Sequence, residues 1–255
     1  MNSQQLFELH EQHIRLNINW DEFFKPYRDW ESEYRDREFK RQTNLVDAIP
    51  ELKKCRSLFY PGAGYDFSTL RFFMEVSGVK DYYYCDYMNY DITDNSVYNN
   101  LVEQLSPYGY LVIKAAELQP GYFNQSSWGQ FWHRDHIRFG GDIQNSFISL
   151  YRIIRGGKIF NLYYLGTEAI QSYEILLKNN KKMDIVVTQD HGLGGLWTTF
   201  CQGSILETLA NQYNKLPDLL MVGEDYEPWE DYENITSNFG SFGLHQAPRK
   251  LYRLR

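Results

Sequence analysis

Three cysteines in 255 residues are too few, and too widely spaced, to staple this chain. Cys55, Cys85 and Cys201 contain no C-x-x-C pair, and scattered thiols of this kind fit a reducing cytosol better than a disulfide scaffold. Long apolar runs are also missing. No stretch approaches 18 apolar residues, and the N-terminus MNSQQLFELHEQH lacks the apolar centre of a secretory signal. The expected location is therefore cytoplasmic, with no membrane partner. Basic charge is scarce as well: 26 Lys and Arg stand against 33 Asp and Glu, a net charge of −7. That balance excludes a general nucleic-acid binder, which needs a basic face, and leaves room only for a local patch. No internal repeat and no low-complexity linker interrupts the chain.

Aromatic residues are abundant, with 21 Tyr and 16 Phe. Tyrosine packs a ring and keeps a polar tip, so it suits partly buried strands and pocket walls. Residues 1–55 mix charge and aromatics with irregular apolar spacing, which predicts one or two surface helices. This N-terminal helical arm packs on the main domain, shields a pocket, or meets a partner.

From Ser57 the periodicity changes. The pattern predicts strands at 57–61, 81–86 and 109–116, with helices at 67–77 and 94–105 between them, the second opened by Asp94. Strand–helix alternation of this kind implies parallel pairing with crossover helices. Residues 119–145 are rich in Gly, Gln, Asn and aromatics and break the alternation. Two β-like runs then flank Arg155-Gly156-Gly157-Lys158, and a Gly-Gly centre permits a tight hairpin. Helices at 167–179, capped by Thr167, and 203–213, opened by Ser204, alternate with strands at 183–189 and 218–223. The tail RKLYRLR reads as a final edge strand. The expectation is an α/β domain over 56–255, with a loop and hairpin insertion at 119–165.

Ligands of open α/β sheets bind beyond the carboxyl ends of the strands. Four segments follow such ends here. They are Pro61-Gly62-Ala63-Gly64-Tyr65-Asp66, Asp86-Tyr87-Met88, Asp190-His191-Gly192, and Gly223-Glu224-Asp225-Tyr226. Glycines at 62 and 64 let the backbone turn sharply and approach a ligand, or simply turn. Asp86 lies 24 residues after Gly62, at the end of the next strand, where a carboxylate can accept both hydroxyls of a ribose. Asp66 stands one position before the third glycine of the dinucleotide pattern G-x-G-x-x-G, at a helix start. A carboxylate there repels phosphate; it caps the helix or holds a ligand ammonium group. NAD, FAD and nucleoside triphosphates are disfavoured on this ground. S-adenosylmethionine has a ribose and an ammonium group and no phosphate, so it fits the charge pattern better.

YPGAGYD followed by YYYCD resembles the first two motifs of class I S-adenosylmethionine-dependent methyltransferases. The turn is similar to a P-G-x-G-x-D variant in bacterial proteins of that fold, and the likeness spans residues 57–116. It implies a Rossmann-like three-layer sandwich with a mostly parallel sheet, carrying the antiparallel hairpin insertion and the N-terminal helical arm. It also implies that Gly62 and Gly64 back the methionine part of the cofactor and that Asp86 takes the ribose. Two departures stand out. The acid that often precedes the glycine loop is replaced by Leu58-Phe59-Tyr60, and no Asn-Pro-Pro-Tyr, Asp-Pro-Pro-Tyr or Pro-Cys motif is present.

Other candidates lie further along. His191 titrates near neutrality and can serve as a general base, with Asp190 beside it; the alternative is a loop whose polar groups satisfy backbone. His133, Asp135 and His136 raise the question of a metal, which needs a third ligand such as Glu117 or His191. They are otherwise a polar loop. The acidic-aromatic run from Glu224 to Asp231 suits an amine substrate or a solvated loop. Three readings follow: a methyltransferase acting on a small molecule, a non-catalytic protein on the same scaffold that binds a nucleotide or protein partner, and a metal-dependent hydrolase.

Overall fold

Leu58, Phe59 and Tyr60 are consecutive and fully buried, which a strand allows only when both its faces are covered. They form β1, Ser57–Pro61. The computed structural model describes residues 49–85, 96–118, 147–166, 169–188, 206–223, 231–235 and 249–255. Of the N-terminal arm it describes only the last residues, where Pro50–Lys54 form α1 with proline in the first turn. After β1 come α2 (Phe67–Val76), β2 (Asp81–Cys85) and α3 (Ser96–Leu105). In α3 the buried residues Val97, Leu101 and Leu105 recur every four positions, one apolar stripe. Then follow β3 (Leu111–Leu118), β4 (Phe147–Arg155), β5 (Lys158–Gly166), α4 (Ala169–Lys178) and β6 (Ile185–Thr188). Residues 206–212 form α5, and β7 (Leu219–Gly223), β8 (Tyr232–Asn234) and β9 (Arg249–Leu254) complete the order. The predicted caps Asp94, Thr167 and Ser204 lie outside the described residues.

The fold is α/β, and the described residues form one nine-stranded mixed sheet in the order β3-β4-β5-β2-β1-β6-β7-β9-β8. The pairs β5–β2, β2–β1, β1–β6 and β6–β7 are parallel. The pairs β3–β4, β4–β5, β7–β9 and β9–β8 are antiparallel. The sheet is thus evenly mixed rather than mostly parallel. Alternate residues of β1 enter two cores. Leu58 and Tyr60 pack with Leu70, Phe73, Leu101 and Leu105, from α2 and α3. Phe59 packs with Tyr173, Leu177, Leu206 and Leu209, from α4 and α5.

Two strands lie where periodicity alone did not put them. The strand expected at 109–116 is β3, but it does not pair in parallel beside β2. It sits at the far edge, against β4. Its exposure explains this: Val112 is buried while Leu111 and Ile113 are 58% and 42% exposed, so only one face meets the core. The place beside β2 goes to β5, whose Leu162, Tyr164 and Leu165 are buried. A two-residue turn with Gly156 at φ 56° and Gly157 at φ 77° holds β5 against β4 and builds the predicted hairpin. The tail is β9, and it is not an edge strand. Leu251 and Tyr252 are adjacent and both buried, one in each core, so β9 is covered on both faces. Among the described residues, the three-residue β8 forms the edge instead.

Candidate functional site

The chain leaves β1 through α2 to reach β2 on one side, and reaches β6 on the other side only after β5 and α4. The strand order therefore reverses at β1, and the parallel strands β5, β2, β1, β6 and β7 all end on the same edge of the sheet. A crevice beyond the carboxyl ends of β1 and β6 is where such a sheet receives a ligand. The glycine turn begins directly at that point, after Pro61.

Both turn glycines need the left-handed conformation, with Gly62 at φ 61° and Gly64 at φ 51°. A Cβ added to Gly62 would meet no atom of the described residues within 4 Å. The turn is tied to its surroundings. Ala63 N–H donates to the Cys85 carbonyl at 3.1 Å, and Asp66 N–H closes back on the Ala63 carbonyl at 3.0 Å. The first bond fastens the turn to the last residue of β2, one position before Asp86. Tyr164, from β5, donates its hydroxyl to the Gly64 carbonyl at 3.2 Å. Gln104 Nε2, from α3, donates to the Tyr65 carbonyl at 2.9 Å.

Asp66 is the cap of α2. The residue is 5% exposed, and its carboxylate accepts four hydrogen bonds from the described residues. Oδ1 receives Thr69 N–H at 3.1 Å and the Ser68 hydroxyl at 2.7 Å. Oδ2 receives the Tyr60 hydroxyl at 2.9 Å and the Thr69 hydroxyl at 2.6 Å. A carboxylate offers about four acceptor positions, so a ligand ammonium would compete with four donors already in place. The same arrangement fills the helix N-terminus with negative charge, which removes it as a phosphate site.

Other ionisable groups near the sheet are tuned by burial. Burial pushes the Tyr82, Tyr83 and Tyr173 hydroxyls well up, so these side chains remain neutral phenols and supply no base. Burial likewise pushes the Cys55 thiol up to about 12, helped by the Asp184 and Asp218 carboxylates.

Of the residues proposed from sequence, Gly62, Gly64 and Asp66 come together in this turn. Asp86 follows Cys85, and Asp190 and His191 are the second and third residues past Thr188; all three lie outside the described residues. So do His133, Asp135, His136 and the run at 224–230. Glu117 lies on β3, five strand positions from β6. No group of three or more His, Cys, Asp or Glu is placed to hold a metal among the described residues. Among the same residues, no helix is long and apolar enough to cross a membrane. Sequence reasoning missed Tyr60, Thr69, Gln104 and Tyr164. Thr69 carried a signal, since a hydroxyl residue three positions after an N-terminal Asp sits within reach of its carboxylate. Tyr164 carried none, being 100 residues from its partner.

Comparison of the chain with models of protein families gives no match, and comparison with curated proteins gives none.

Proposed function

We propose that the chain is a methyltransferase of Rossmann-like, three-layer architecture that uses S-adenosylmethionine to methylate a small molecule. The observation that carries this reading is the glycine turn at the reversal of strand order. Among the described residues nothing lies over Gly62, and the turn is tied through Ala63 to the strand that leads into Asp86. The parallel strands in the order β5-β2-β1-β6-β7 favour a Rossmann-like core, as does a core on each side of the sheet. The capped start of α2 favours a ligand without a pyrophosphate. Gly62 and Gly64 would back the methionine part, and Asp86 would accept the ribose hydroxyls.

The chemistry asks little of the protein beyond alignment. A lone pair on the acceptor forms a bond to the methyl carbon, the carbon–sulfur bond breaks, and the neutral thioether leaves. The sulfonium is already activated, so holding the acceptor in line with that bond is the main catalytic task. Asp190 or His191, beyond the end of β6, would take the acceptor's proton. The absent amine-methylation and Pro-Cys motifs favour one alternative, a scaffold of this kind that binds without turnover.

Calorimetric titration with S-adenosylmethionine, with NAD and ATP as controls, tests the reading. Selective binding of the sulfonium ligand is expected. Asp86→Ala should weaken it by about 1–3 kcal/mol through lost charged hydrogen bonds. Equal binding of all three ligands, or of none, would overturn the cofactor reading.

A further inference from the structure

Three tyrosines stand side by side near the ends of three neighbouring parallel strands. Tyr60 of β1 pairs with Tyr84 of β2, and Tyr84 pairs with Tyr164 of β5. All three are fully buried, in the core beneath α2. The central ring is clasped: Tyr60 meets Tyr84 edge-on at 5.1 Å, and Phe67 lies parallel to it at 6.3 Å. The two outer tyrosines aim at the glycine turn. Tyr60 bonds the Asp66 carboxylate at its end, and Tyr164 bonds the Gly64 carbonyl in its middle.

The bond between Asp66 and Ala63 is local and fixes the shape of the turn, whereas Cys85, Gln104 and Tyr164 tether it from outside, and Tyr164 is the one of these that holds a glycine carbonyl. Tyr164 reaches from β5, two strands away from β1, a span of about 10 Å across the sheet. A peptide is planar and trans, so holding the Gly64 carbonyl toward Tyr164 also sets the direction of the following N–H. Glycine resists rotation of its flanking peptides least, so this is the position where an outside tether has most to fix.

We infer that Tyr164 is a positioning residue: its hydroxyl orients the 64–65 peptide and so presets the glycine turn for the ligand. This rests on the cofactor reading above. The ligand never touches Tyr164; the effect passes through the backbone of Gly64.

Tyr164→Phe removes the hydroxyl and keeps the ring. Three measurements separate the outcomes: amide hydrogen exchange of residues 61–66 without ligand, titration with S-adenosylmethionine, and the urea midpoint. Exchange in the turn should rise about 5–10-fold, and affinity should fall by a similar factor, the scale of one lost neutral hydrogen bond. The urea midpoint should move far less than it does for Asp66→Ala. Unchanged exchange overturns the tether whatever the ligand does. Raised exchange with unchanged affinity overturns the positioning role and leaves the cofactor reading standing. Failure of the wild-type chain to bind S-adenosylmethionine overturns that reading and the positioning role with it. Should the variant lose its fold, Tyr164→Met fills the site with a flexible side chain that carries no donor. Wild-type exchange in the turn of a folded Met variant would then overturn the tether.

Discussion

Replacing Asp66 by alanine should cost about 3 kcal/mol of stability, because one carboxylate serves four donors at once. The cap on Thr69 N–H accounts for about 1 kcal/mol. The Tyr60 and Thr69 hydroxyls are buried and each loses a charged acceptor, at roughly 1–3 kcal/mol apiece in isolation. These terms belong to one network and do not simply add, which sets the total near the lower end of their sum. In urea the midpoint should fall by about 1–1.5 M at a slope of roughly 2–3 kcal/mol/M. In a thermal scan the midpoint should fall by about 6–12 °C for a chain of this size. Asp66→Asn keeps one acceptor oxygen but turns an amide toward a donor, so it should lose about half as much. Tyr60→Phe should cost less in the Asp66→Ala background than in the wild type, because the two groups share a hydrogen bond. A loss below about 1 kcal/mol for Asp66→Ala, with ligand affinity abolished, would refute the capping account. It would make Asp66 a ligand group instead.

Three other perturbations probe separate parts of the chain. Gly62→Ala should cost about 1–2 kcal/mol, since φ of 61° strains an L-residue although no described residue meets its Cβ. Its affinity for S-adenosylmethionine should fall more than about tenfold, while retained affinity would show that nothing approaches that glycine. Gly78→Ala should destabilise by about 1–3 kcal/mol or more, because its Cβ would lie 2.2 Å from the Lys53 carbonyl oxygen, which is backbone and cannot swing away. Wild-type denaturation of that variant would contradict the packing of α1 on this loop. Stability should fall as pH rises from about 9 to about 12, since Cys55 ionises near 9 when unfolded and stays protonated in the fold up to about 12. The folded chain then holds more protons than the unfolded one across that window. Urea midpoints measured through it should decline less steeply for Cys55→Ala, and an identical slope would place the cause elsewhere.

Segments with their own period were legible from the start. The strand at 57–61 and the helix beginning at Phe67 follow from a short apolar run, a glycine turn and an Asp cap, all local chemistry. The Gly156-Gly157 hairpin is equally local, because two positive φ values are a property of two residues. The role of Asp66 was half legible: its place at the helix start pointed to a cap, but the Tyr60 and Thr69 hydroxyls that saturate it depend on the packed core.

The amino-acid order thus determined the elements seen among the described residues and the character of the turn. Which strand lies beside which was decided only in three dimensions. β3 and β5 are both apolar runs, and only burial on one face or two sends the first to the edge and the second to the centre. β9 moved inward for the same reason. The Tyr164–Gly64 contact spans 100 residues and exists only because β5 takes the place beside β2. Local dihedral preferences are carried by a residue and its neighbours. Strand partners are chosen by how much apolar surface the whole sheet can cover, and no single segment holds that quantity.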